Sequence, residues 1–131
     1  MLSRFSFVML FIFTAAVFLA GCAEKNNNTT IYRQITQQEA RQMMDEQDVL
    51  ILDVREQHEY DSGHIPGAIL LPVGTITEET AAQIIAAKDT VVLIYCRNGN
   101  RSKQAAAALA DLGYTELYEF GGISTWPYEV E

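Results

Sequence analysis

Val91-Val92-Leu93-Ile94-Tyr95-Cys96-Arg97-Asn98-Gly99-Asn100-Arg101-Ser102 is the stretch that decides the fold. Its apolar start predicts a short strand buried on both faces, and the alanine-rich run from Arg101 to Leu112 predicts a helix closed by Gly113. Cys96 therefore falls on a strand-to-helix turn, where backbone N–H groups have no partner within the helix and point at whatever the turn encloses. Arg97 and Arg101 flank that turn. A thiol held there is expected to ionise more readily than a free one and to act as a nucleophile.

Working outward, the same alternation repeats. Thr36-Gln37-Gln38-Glu39 has the spacing of a capping box, and Ala40, Met43 and Met44 follow as a helical apolar stripe of core-filling residues. Val49-Leu50-Ile51-Leu52 predicts a second buried strand, closed by Asp53-Val54-Arg55. A polar stretch from Glu56 to Gly63 leads to a short strand at Ile69-Leu70-Leu71. Thr77 caps a further helix whose first turn carries Glu78 and Glu79, with Ile84 and Ile85 on its core side. Glu116 to Phe120 reads as the last strand, before Gly121-Gly122 and a terminal turn packed around Trp126. Helices alternating with short buried strands predict an α/β fold, a single open and mainly parallel sheet flanked by helices. Sites in such sheets lie beyond the carboxyl ends of the strands, where Asp53, Arg55 and Cys96 all fall.

The chain begins differently. Residues Phe5 to Ala20 are almost wholly apolar, Arg4 precedes them and Leu19-Ala20-Gly21-Cys22 follows. This pattern is that of an export signal over residues 1–21, at the short end for a span of ~20 apolar residues. The tetrapeptide ending in Cys22 resembles the lipobox of bacterial lipoproteins. The resemblance implies cleavage before Cys22 and lipidation of that residue, with several acyl chains giving lasting attachment to a membrane. Residues 22–30 then form a polar tether, and residues 31–131 form the folded domain. The expected location is extracytoplasmic, on a membrane whose identity the sequence leaves open. Cys96 would be the single free thiol of the mature chain, exposed to oxidation and hence retained for use.

The mature chain, residues 22–131, is enough for one domain and too little for two. It carries eight Lys and Arg against seventeen Asp and Glu, a net charge of about −9. That balance argues against nucleic acid and against adhesion to anionic headgroups. Arg97, Arg101 and Lys103 concentrate positive charge near Cys96, which suits a small anionic substrate. His58 and His64 are the two histidines, too few with the available cysteines for a metal centre, so no metal and no cofactor is expected. Nothing demands more than a monomer.

Several separated pieces now coincide: Leu52-Asp53-Val54-Arg55 with Glu59-Tyr60, Gly63-His64-Ile65-Pro66-Gly67-Ala68, the Cys96 loop, and Gly121-Gly122-Ile123 with Trp126-Pro127. In this order and spacing, the chain resembles single-domain rhodaneses of the rhodanese-like sulfurtransferase family. Its export signal makes it similar to their exported, lipid-anchored forms. The resemblance implies that Cys96 takes the outer sulfur of a donor such as thiosulfate as a persulfide. It then yields that sulfur to cyanide, a thiol or another nucleophile, in two half-reactions. Four residues separate Cys96 from Arg101. Cysteine phosphatases close a similar cradle with one residue more, so this smaller ring suits a sulfur or small oxyanion end over a tetrahedral phosphate.

Within the ring, Gly99 supplies a backbone conformation that other residues resist, and Asn98 and Asn100 tolerate tight turns. Arg97 either attracts the donor or points to solvent. Arg101 braces the turn, and Ser102 caps the helix or bonds to the loop. Asp53 and Arg55 resemble the family's acid and base beside the loop and are expected to orient it; direct catalysis is their other reading. Two functions of other classes stay open. One is a binding or regulatory module with little turnover, and the other is a persulfide-relay partner of another protein.

Overall fold

The computed structural model describes residues 32–131. The export signal, Cys22 and the tether lie outside the described residues.

Five strands form one sheet in which every pair is parallel: β1 (Arg33–Gln34), β2 (Leu50–Asp53), β3 (Ile69–Leu70), β4 (Val92–Cys96) and β5 (Leu117–Gly122), in the order β1-β5-β4-β2-β3. The helices are α1 (Gln37–Glu46), α2 (Gln57–Asp61), α3 (Glu78–Ile84) and α4 (Asn100–Asp111). Short 3-10 turns occupy Val73–Thr75 and Ile123–Thr125. Thr36 caps α1 with a complete capping box, accepting from the Glu39 N–H at 3.1 Å, and Thr77 caps α3 in the same way.

β4 is the centre of the sheet, and all five of its residues are fully buried. Its alternation divides the core in two. Val92, Ile94 and Cys96 face a layer in which Leu52 and Val54 of the neighbouring β2 segment meet Ala81 and Ile85 at α3 and Ala105, Ala106 and Leu109 of α4. Leu93 and Tyr95 face the opposite layer of Ala40, Ile65, Phe120 and Trp126, covered by α1 and the C-terminal segment. Trp126 packs 5.5 Å from the Phe120 ring.

The structure differs from the sequence reading at its short pieces. β1 has two residues with no apolar pattern, and its pairing to β5 defines it. α2 lies inside the segment read as polar; five residues long with none buried, it offers no periodicity to detect. α4 starts at Asn100, one residue earlier than expected, because the turn closes at Gly99.

Candidate active site

The site forms where β4 ends. The chain passes from Cys96 through Arg97, Asn98 and Gly99 and enters α4 at Asn100. Gly99 has φ +98°, in the left-handed region that side chains resist, and this turns its N–H back toward the strand. That N–H lies 3.1 Å from Cys96 Sγ. Burial pushes the Cys96 thiol up. The Ser102 hydroxyl and the backbone N–H groups of Ser102, Gly99 and Asn98 outweigh it and hold the thiol below its ordinary value. Cys96 is itself fully buried.

β5 is shaped to receive the turn. From Ile94 to Cys96 the sheet advances two residues on β4, while β5 advances three, from Glu119 to Gly122: a bulge. Gly122 then passes so close to the Arg97 carbonyl and the Asn98 nitrogen that a Cβ would collide with that backbone. The Arg97 carbonyl accepts the Ser124 N–H at 3.1 Å.

The other loop residues divide clearly. Arg97 and Asn98 are exposed, and Asn98 Oδ1 accepts the Asn100 N–H at 3.4 Å. Arg101 stands in the first turn of α4 and donates to Glu59 of α2 from both terminal guanidinium nitrogens, at 2.6 and 2.9 Å. Those bonds, above all, hold the Glu59 carboxyl down at about 2 and tie α2 to the loop. Ser102 is fully buried in that turn and is not its cap, which is Gly99. Its Oγ lies 3.5 Å from Cys96 Sγ, 2.9 Å from the Gly99 carbonyl and 2.6 Å from Glu119 Oε1.

Asp53 and Arg55 make no hydrogen bond to the Cys96 loop. They form a buried pair, with Arg55 Nη2 and Nε 2.8 and 3.0 Å from the two Asp53 oxygens. The Tyr95 hydroxyl donates to Asp53 Oδ2 at 2.6 Å, on the sheet face opposite Cys96. Burial first, and then this bond to the carboxylate, keep that phenol protonated above its ordinary range. Burial alone would lower the Arg55 pKa; the Asp53 carboxylate raises it instead. Arg55 also donates to the Gly63 carbonyl at 2.7 Å, clamping the chain after α2.

A cavity of about 400 Å3 opens beside the loop, lined by Arg55, His58, Glu59, Ser62, Arg97 and Ser124 with Ile123. Arg97 makes no ion pair among the described residues, so its charge is free to meet an anion there. Sequence reasoning missed Glu59 and Glu119 as parts of the site. Glu59 sat within a quoted motif without a partner to suggest its role. Glu119 sits in a strand, where its neighbours depend on pairing across the sheet.

The fold and this cysteine turn define a family. Residues 36–128 match the rhodanese-like domain, and the chain belongs to that family. Among curated proteins it is 35% identical to the thiosulfate sulfurtransferase GlpE of Coxiella burnetii, over 73% of this chain and 88% of that one. It is 39% identical to a sulfurtransferase of Allochromatium vinosum, over 66% of this chain and 79% of the other. Among solved structures, a rhodanese with anions from E. coli superposes with a TM-score of 0.60 at 30% identity, covering 64% of this chain and 98% of its own.

Proposed function

We propose that this protein is a sulfurtransferase that carries sulfane sulfur on Cys96. The observation that carries the reading is the Gly99 N–H 3.1 Å from Cys96 Sγ, in a turn whose donors favour the thiolate. The thiolate attacks the outer sulfur of a donor such as thiosulfate. A sulfur–sulfur bond forms on Cys96 as the donor's own breaks, and sulfite leaves with the electron pair. The terminal sulfur of the persulfide takes over the N–H donors of the turn. A nucleophile, cyanide or a thiol, then attacks that sulfur and Cys96 departs as thiolate, so the enzyme returns unchanged. Arg97 and the cavity beside it receive the anionic end of the donor, while Arg101 and Glu59 hold the turn in place. The relatives named as sulfurtransferases support the same chemistry.

In this proposal residues 1–21 are removed on export and Cys22 is lipidated, which holds a monomeric domain outside the cytoplasm at a membrane surface. The pattern Leu19-Ala20-Gly21-Cys22 supports that placement. Radiolabelled fatty acid incorporated by the wild type and not by Cys22→Ser tests it.

The sulfur chemistry is tested by intact mass after brief exposure to thiosulfate and then cyanide. One added sulfur, released as thiocyanate and absent in Cys96→Ser, is the expected result. If Cys96→Ser kept its turnover, the assignment of the nucleophile would fall. A wild type that takes no sulfur from thiosulfate or from a polysulfide would favour the binding-module reading.

A further inference from the structure

The described residues bury four polar or charged side chains: Asp53, Arg55, Ser102 and Glu119. The first two neutralise one another. Glu119 has no Lys or Arg within salt-bridge distance among the described residues, although it is 3% exposed. An acid buried without a cation is costly unless its environment or its chemistry compensates. Glu119 Oε1 accepts the Gly121 N–H at 2.8 Å, across the bulge, and the Ser102 hydroxyl at 2.6 Å. Ser102 Oγ in turn stands 3.5 Å from the cysteine sulfur, within reach of a thiol proton.

Ser102 has one hydroxyl proton, for which the Glu119 carboxylate at 2.6 Å, the Gly99 carbonyl at 2.9 Å and the Gly121 carbonyl at 3.4 Å compete, and the carboxylate is the nearest and the only charged acceptor of the three. While Cys96 is a thiol, its S–H points at Ser102 Oγ and the serine proton goes to the Glu119 carboxylate. When Cys96 is a thiolate, the serine proton turns to the sulfur. The carboxylate is then left beside a serine with nothing to give, unless Glu119 itself holds a proton and donates it to Ser102 Oγ. We infer that Glu119 is a positioning residue that takes the Cys96 proton through Ser102. The S–H bond breaks as an O–H bond forms on Ser102, and the serine O–H breaks as one forms on Glu119. The site carries one negative charge before and after. This rests on Cys96 being the nucleophile.

The groups around the pair fix the expected pH behaviour. α4 contributes Arg101, committed to Glu59, and the exposed Lys103; the loop contributes Arg97; α1 contributes the neutral Gln37, bonded to the Gly122 carbonyl. Asp53 is tied to Arg55 across the sheet. Thiol with carboxylate, and thiolate with carboxylic acid, hold the same number of protons, so pH does not alter their ratio.

The test is the rate at which iodoacetamide alkylates Cys96, followed by mass across pH. Below the ionisation of the thiol the wild-type rate should level onto a plateau. In Glu119→Gln, whose amide oxygen can still accept from Ser102 and Gly121, the rate should keep falling about tenfold per pH unit. Ser102→Ala should fall as steeply, and the double variant should be no slower than either single one. A wild-type profile without a plateau overturns the relay and needs no variant to do so. A plateau that survives either substitution overturns it as well. Alkylation uses no sulfur donor, so failure of thiosulfate to load Cys96 and failure of the relay are separate results.

Discussion

Two acids are buried in this sheet, one on each face. Asp53 lies on the face of Tyr95 and α1 and is fully compensated, with Arg55 on both oxygens and the Tyr95 hydroxyl on one of them. Glu119 lies on the face of Cys96 and α4, with one hydroxyl and one N–H and no cation. Sharing a sheet, they have opposite uses. A closed ion pair fixes geometry and has no spare proton capacity, while an acid held only by neutral donors can still exchange a proton with its neighbour. Sequence proximity to Cys96 says nothing about which is which; the face of the sheet does.

The largest effect should come from breaking the closed cluster. Asp53→Ala leaves the Arg55 guanidinium buried without a counter-charge and the Tyr95 hydroxyl without its acceptor. A loss of ~3–5 kcal/mol in denaturant unfolding is expected. Replacing both Asp53 and Arg55 by leucine should recover much of it, since the cost lies in the orphaned charge rather than in the missing bond. If Asp53→Ala unfolded at the wild-type midpoint, the cluster would have no structural weight and the contrast between the faces would collapse.

Next comes the pair that joins the loop to α2. Arg101 holds the Glu59 carboxyl at about 2, against an ordinary 4.5. A carboxyl depressed in the folded state stabilises the fold fully above about 4.5, and that contribution is lost as pH falls through about 2. Both side chains are partly accessible, at 29% and 17%, so solvent screening trims the effect to on the order of 2 kcal/mol. Unfolding midpoints of wild type and Glu59→Gln, followed across that window, should converge at its acid end. Parallel curves would show that the pair does not hold the loop.

How much of this was legible beforehand follows from where each signal resides. The sheet, its parallel sense and the Cys96 turn could be read because β2 and β4 are continuous apolar runs and α4 is a long alanine-rich helix. Asp53 and Arg55 were placed at the correct end of the sheet, but sequence proximity gave no face: Asp53 lies on the face opposite Cys96, while Arg55 reaches the cavity beside the loop. Ser102 looked like a helix cap because serine usually is one there; Gly99, adopting a left-handed conformation, took that position and left Ser102 pointing inward. Glu119 gave no signal. In a strand read as Glu116 to Phe120, an acid at an alternating position is expected to face solvent, and the bulge at Gly121 with the Ser102 hydroxyl is what gives it a buried place.

The smallest effect is the one that separates the two acids most sharply. Glu119→Gln keeps an oxygen to accept from Gly121 and Ser102 and removes a buried charge that has no cation to satisfy. Near neutral pH it should therefore change stability by less than ~1 kcal/mol, and in the stabilising direction. The same conservative change at Asp53 withdraws the counter-charge of Arg55 and should cost several times more. Measuring the two amide variants side by side by urea unfolding decides whether Glu119 belongs with the scaffold or with the chemistry. A loss at Glu119 as large as that at Asp53 would make it another strut. A near-neutral result leaves its short contact to Ser102 explained by what it does for the thiol, since a group that adds nothing to stability and is costly to bury has its reason in the reaction.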